Sequence, residues 1–125
     1  MPSIFVIDDD KDLLAVVKSL LRKRGFEVSA FFDWNIASKA LKLFKPQIIL
    51  LDVFLHGIDG LDICKKLRTS PFTKFIPILV YSGFPKIEQS AIYDYGADDF
   101  IAKPFEFNDL VKKLENILLR FDIRR

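Results

Sequence analysis

The chain has 125 residues, 50% hydrophobic and 29% charged, which suits one compact domain over residues 1–125 and excludes both intrinsic disorder and two ordinary domains. Its 19 lysines and arginines are interleaved with 17 acids for a formal net charge of +2, so direct nucleic-acid binding is not indicated. The one cysteine, Cys64, leaves no internal disulfide, no signal-peptide pattern opens the chain, and no apolar run reaches the roughly 20 residues of a membrane span, which together point to a soluble protein of a reducing cytoplasm.

The first apolar run, Ser3 to Ile7, reads as a buried strand that runs into three consecutive aspartates, Asp8, Asp9 and Asp10. Leu13, Leu14, Val17, Leu20 and Leu21 then recur at helical spacing until Gly25. Phe26 to Phe32 begins with strict alternation, as a strand near a sheet edge does, and a second helix turns Ile36, Ala37, Ala40, Leu41 and Phe44 inward before Pro46. Gln47 to Phe54 is apolar on both faces, the mark of a central parallel strand, with Asp52 at its carboxyl end. A loop through Gly57 and Gly60 leads to a helix with Leu61, Cys64 and Leu67 on its core face and Lys65, Lys66 and Arg68 on a solvated one. Ile76 to Ser82 is the fourth strand, and Ile87, Ala91, Ile92 and Tyr95 mark a short helix closed by Gly96. Asp99 to Ala102 is a short fifth strand, and Phe107, Leu110, Val111, Leu114, Ile117, Leu118 and Phe121 stripe the last helix.

Strict strand–helix alternation predicts a doubly wound α/β fold with a five-stranded parallel sheet and five helices. Ligands of such sheets bind beyond the carboxyl ends of the strands. Asp8 and Asp9 end the first strand, Asp52 the third and Ser82 the fourth, and Lys103 follows the fifth. All five residues therefore belong on one rim.

Three carboxylates that close together raise one another's pKa and destabilise the fold unless a cation neutralises them. With no histidine or cysteine partner on that rim, the donor set suits Mg²⁺, which keeps open positions that phosphate oxygens fill. Phosphoryl transfer needs charge placed on three equatorial oxygens, and Mg²⁺, the Lys103 ammonium and the Ser82 hydroxyl supply it. Asp52 is then the nucleophile, forming an acyl phosphate. Asp10, just before the first helix, is placed to cap it.

Four motifs in order, "VIDDD", "LLDVFLHGIDG", "YSG" and "GADDFIAKPF", resemble the receiver domain of two-component response regulators, from Ser3 to Phe121. The resemblance implies a flavodoxin-like fold with strand order 2-1-3-4-5 and a cis Lys103–Pro104 peptide. It implies direct Mg²⁺ ligation by Asp9, Asp52 and the Phe54 carbonyl, with Asp8 acting through water, and phosphorylation of Asp52 by a histidine kinase or histidine phosphotransfer protein. Ser82 and Phe100 occupy the positions that couple phosphorylation to a face built by the fourth helix, fifth strand and fifth helix. That face is read by an effector or a fused output domain, and "GADDFIAKPF" is similar to receivers that form homodimers through it, although Lys113 stands where arginine is usual.

His56 stands where that family usually has proline, Gly83 where it has alanine, and the bulky Phe54 and Phe84 flank the pocket. Two other readings compete: a constitutive interaction module with a vestigial pocket, and a Mg²⁺-dependent phosphohydrolase. The intact acids and Lys103 argue against the first, and Phe54, where hydrolases carry a second acid, against the other. Dinucleotide binding is disfavoured by acids where the turn after Ile7 would need glycines. The chain ends at "FDIRR", which leaves open a stand-alone regulator or a receiver taken from a longer protein.

Overall fold

A computed structural model describes residues 1–122; the last three residues of "FDIRR" lie outside them. Five strands, β1 (Ser3–Ile7), β2 (Glu27–Phe31), β3 (Ile48–Asp52), β4 (Ile78–Ser82) and β5 (Asp99–Ala102), form one parallel sheet in the order β2-β1-β3-β4-β5. Between and after them run α1 (Lys11–Lys23), α2 (Trp34–Leu43), α3 (Gly60–Thr69), α4 (Glu88–Tyr93) and α5 (Phe107–Asp122). The doubly wound architecture and the implied strand order are both observed.

Alternation along each strand sends its residues to two separate cores. Phe5, Ile7, Ile49, Leu51, Val80 and Phe100 meet α2, α3 and α4, where Cys64 packs as a small apolar group whose thiol burial pushes up to about 12. Ile4, Val6, Leu50, Leu79, Tyr81 and Ile101 meet the apolar stripes of α1 and α5. The central β3 is buried along its whole length, as its two-sided apolar pattern requires. No helix of the described residues is long and apolar enough to cross a membrane.

Three helices begin where an aspartate caps free N–H groups. Asp10 accepts from the N–H of Asp12 and Leu13, Asp33 from Asn35 and Ile36, and Asp59 from Leu61. The cap expected at Asp10 is therefore present.

The structure differs from the sequence reading in four places. Ile36 and Phe44 are exposed rather than turned inward, because α2 is only ten residues long and its narrow buried stripe is filled by Ala37 and Leu41. The third strand stops at Asp52; Phe54–Leu55 instead pairs antiparallel with Ile58–Asp59 in a small hairpin where a plain loop was expected. The fourth helix is a six-residue α4 preceded by a 3₁₀ turn that holds Ile87, and Tyr95 lies beyond it. Arg68 is not part of a solvated face.

Its guanidinium pairs with Asp98 at 2.6 Å and donates to the carbonyls of Gly96 (2.9 Å), Lys74 (2.7 Å) and Ile76 (3.2 Å). Asp98 in turn accepts from the N–H of Ile78 at 2.8 Å. One fork thus ties the end of α3 to the start of β4 and to the turn before β5, geometry that a flexible ammonium does not reproduce. Arg68→Ala is expected to lower the unfolding free energy by about 2 kcal/mol, with Arg68→Lys recovering only part of the loss. Urea denaturation checks both, and a loss below about 0.5 kcal/mol for Ala would show that the fork is not structural.

Candidate functional site

Because the five strands are parallel, their carboxyl ends share one rim. Asp8 follows β1 with its N–H still bonded to the Phe31 carbonyl at 3.0 Å, so it continues the line of the sheet and its side chain is 0% exposed. Asp52 closes β3 and is 5% exposed, and Ser82 closes β4. Lys103 leaves β5 with its N–H on the Ser82 carbonyl at 2.8 Å. The Lys103–Pro104 peptide is cis.

The Lys103 ammonium bridges two acids, 3.0 Å from Asp8 Oδ2 and 3.3 Å from Asp52 Oδ1. One carboxylate oxygen each from Asp8, Asp9 and Asp52 lie within 4.8 Å of one another. Burial first, and then the charge of Asp8, push the Asp52 carboxyl from 3.8 up to about 7 against the pull of Lys103. One ammonium does not balance three acids. The donors are all hard carboxylate oxygens with no nitrogen or sulfur among them, and this set fits a divalent cation of the Mg²⁺ type.

The other residues singled out in the sequence surround this centre. Ser82 Oγ accepts the N–H of Phe84 at 3.1 Å. Phe54, two residues beyond Asp52, meets Phe84 edge to face with ring centroids 5.2 Å apart, and the two rings remain 56% and 57% exposed. Phe100 is buried on the α4 side of the sheet.

One residue had been missed. Tyr81 is fully buried and donates its hydroxyl to Asp8 Oδ2 at 2.5 Å, and its phenol pKa is raised well above the ordinary range by burial and then by the Asp8 charge. The signal was a tyrosine inside a strand apolar on both faces, where a buried hydroxyl demands a partner. His56, exposed and singled out in the sequence, adopts φ +45° and donates its N–H to Asp9 Oδ2 at 3.2 Å.

The family model described as the response regulator receiver domain matches residues 4–115. The DNA-binding dual master transcriptional regulator RpaA of Synechocystis sp. is 33% identical over 124 residues, which are 98% of this chain and 51% of that protein. The chain spans about half the length of the curated relatives it matches. Among solved structures, the receiver domain of NtrX from Brucella abortus is 33% identical with a TM-score of 0.83, over 92% of this chain and 97% of that one. A CheY-like response regulator receiver domain protein from Methanospirillum hungatei JF-1, at 22% identity and a TM-score of 0.91 over 100% of this chain and 99% of that one, shares the fold.

The raised Asp52 pKa has a signed consequence for stability. A carboxyl whose folded pKa lies above its unfolded value makes the folded chain the better proton binder between about pH 4 and pH 7, so stability falls as pH rises through that window. With a chelator present, Asp52→Asn is expected to be more stable than wild type at about pH 8, by a margin that vanishes by about pH 4. Urea titrations at both values check this, and a margin independent of pH refutes it.

Proposed function

Since the chain belongs to the response regulator receiver domain family of two-component signalling, we propose that it is a phosphoryl-accepting switch with Asp52 as the acceptor. The observation that carries this reading is the Lys103 ammonium held between Asp8 and Asp52 on a rim where three carboxylate oxygens converge.

An Asp52 carboxylate oxygen attacks the phosphorus of a phosphohistidine on a kinase or phosphotransfer protein. The new O–P bond forms as the N–P bond breaks, and the imidazole leaves with the electron pair and takes up a proton. Lys103 is one swing away from a phosphoryl oxygen on Asp52, and the Ser82 hydroxyl reaches another by leaving the Phe84 N–H. Asp9, Asp52 and the Phe54 carbonyl, with Asp8 through water, are the groups that would hold Mg²⁺. When bound, that ion neutralises the acids and the charge on the phosphoryl oxygens.

Movement of Ser82 is coupled to β5 by the Lys103 N–H on its carbonyl, and Phe100 one strand over lies beneath α4. The output surface in this reading is the face of α4, β5 and α5, where Lys113 pairs with Asp99 at 3.2 Å. An effector, a fused output domain or a second copy in a homodimer reads it. The switch acts in the cytoplasm, as a single receiver domain over residues 1–125, and does not itself contact nucleic acid or membrane.

Intact mass spectrometry after incubation with Mg²⁺ and acetyl phosphate is expected to show one added phosphoryl group, absent with chelator and absent in Asp52→Ala. Failure of wild type to take up either acetyl phosphate's phosphoryl group or beryllofluoride would leave the constitutive interaction module as the better reading. In this reading the paired Phe54 and Phe84 rings, two residues beyond Asp52 and Ser82 respectively, slow the hydrolytic water. Phe54→Asn is accordingly expected to shorten the phosphoryl lifetime several-fold in a dephosphorylation time course, and an equal or longer lifetime removes that role.

A further inference from the structure

The phosphoryl chemistry leaves Tyr81 without a task. Its ring packs in the core shared with α1 and α5, 6.2 Å from the Phe105 ring, and an apolar residue would fill that volume without bringing a hydroxyl that must be satisfied. The hydroxyl is spent on Asp8, both of whose oxygens accept hydrogen bonds from the protein. Oδ1 accepts the Asp10 N–H at 2.9 Å, while Oδ2 accepts both the Tyr81 hydroxyl at 2.5 Å and the Lys103 ammonium at 3.0 Å. The same ammonium sits 4.2 Å from the centroid of the Tyr81 ring.

These contacts become unequal once Asp52 carries a phosphoryl group. Lys103 then has a better partner in the phosphoryl oxygens, and Asp8 Oδ2, a buried oxygen, loses its direct ion-pair partner. Stripping a buried ion of its partner is strongly unfavourable unless another donor stays behind. A short hydrogen bond from a hydroxyl to a carboxylate is such a donor.

We propose that Tyr81 is a positioning residue that frees Lys103: its hydroxyl keeps Asp8 Oδ2 satisfied when the ammonium moves to an anion on Asp52, and its ring face supports the ammonium over that short path. The inference rests on the phosphoryl reading of the site. It separates two jobs that Lys103 performs, bridging the resting acids and binding the phosphoryl group, and assigns the cost of switching between them to one hydroxyl.

The test uses beryllofluoride as the phosphoryl mimic at saturating Mg²⁺, with Mg²⁺ affinity measured separately by calorimetry and the thermal midpoint measured without metal. Tyr81→Phe keeps the ring and the packing, so its midpoint is expected to stay within a few degrees of wild type. Its beryllofluoride affinity is expected to fall about tenfold, the size of one buried oxygen left without its donor, while Mg²⁺ affinity is expected to stay well short of the roughly tenfold or greater loss that removing an organiser of a metal ligand brings. Tyr81→Leu, which also lacks the ring face, is expected to lose more. Equal beryllofluoride affinity in all three proteins overturns the proposal, and so does a loss of Mg²⁺ affinity as large as the loss for beryllofluoride, which would make Tyr81 an organiser of the cation site. A wild type that binds neither Mg²⁺ nor beryllofluoride overturns the phosphoryl reading and this inference with it. Binding of both by wild type, beside an unimpaired Tyr81→Phe, overturns this inference alone.

Discussion

The Lys103 ammonium between Asp8 and Asp52 is the interaction around which the rim is arranged. Carboxylates this deeply buried repel one another and have lost their water, so each needs a donor built into the fold. Asp8 has three and keeps its place in line with β1, whereas Asp52 has the Val53 N–H and a share of Lys103. Burial, and then the charge of Asp8, push the Asp52 carboxyl up to about 7 against the pull of that shared ammonium. The two acids thus divide the available donors unequally.

That division depends on the sheet. Parallel pairing of Asp52 with Tyr81, one residue short of Ser82, puts the Asp52 carboxylate and the Tyr81 side chain on adjacent strands at the same level. The residues of β4 then diverge by alternation. Tyr81 turns to the α1 and α5 core, where it reaches Asp8, while Val80 turns to the opposite core with Phe100. The donor to Asp8 and the apolar bed around Phe100 therefore lie on opposite faces of the same short strand.

The sequence carried the architecture because strands buried on two faces and helices with one apolar stripe have different periods. It carried Asp8, Asp9, Asp52, Ser82 and Lys103 because the ends of parallel strands have only one place to be. Contacts between residues distant in the chain were less legible. Arg68 sits among lysines on α3, and nothing local distinguishes a guanidinium that will find three carbonyls and Asp98 from one left in water. Tyr81 reads as one more large core residue until Asp8, 73 positions away, is placed against it. Ile36 and Phe44 fit a helical stripe by spacing, but how wide a stripe is buried is decided by the sheet beneath it. The hairpin after Asp52 is set by the left-handed turn at His56 and Gly57, which apolar patterning does not encode.

His56 ties that turn to the acids in a way that proline, with φ fixed near −65° and no N–H, cannot imitate. A side-chain-bearing residue at φ +45° is held against its own backbone preference, and its N–H ends on Asp9 Oδ2. The loop that leaves β3 is thereby leashed to the acid that follows β1. In the proposed switch, an ion that drew Asp9 toward itself would pull on the same leash, so capture of the cation would also reshape the surface beside Asp52.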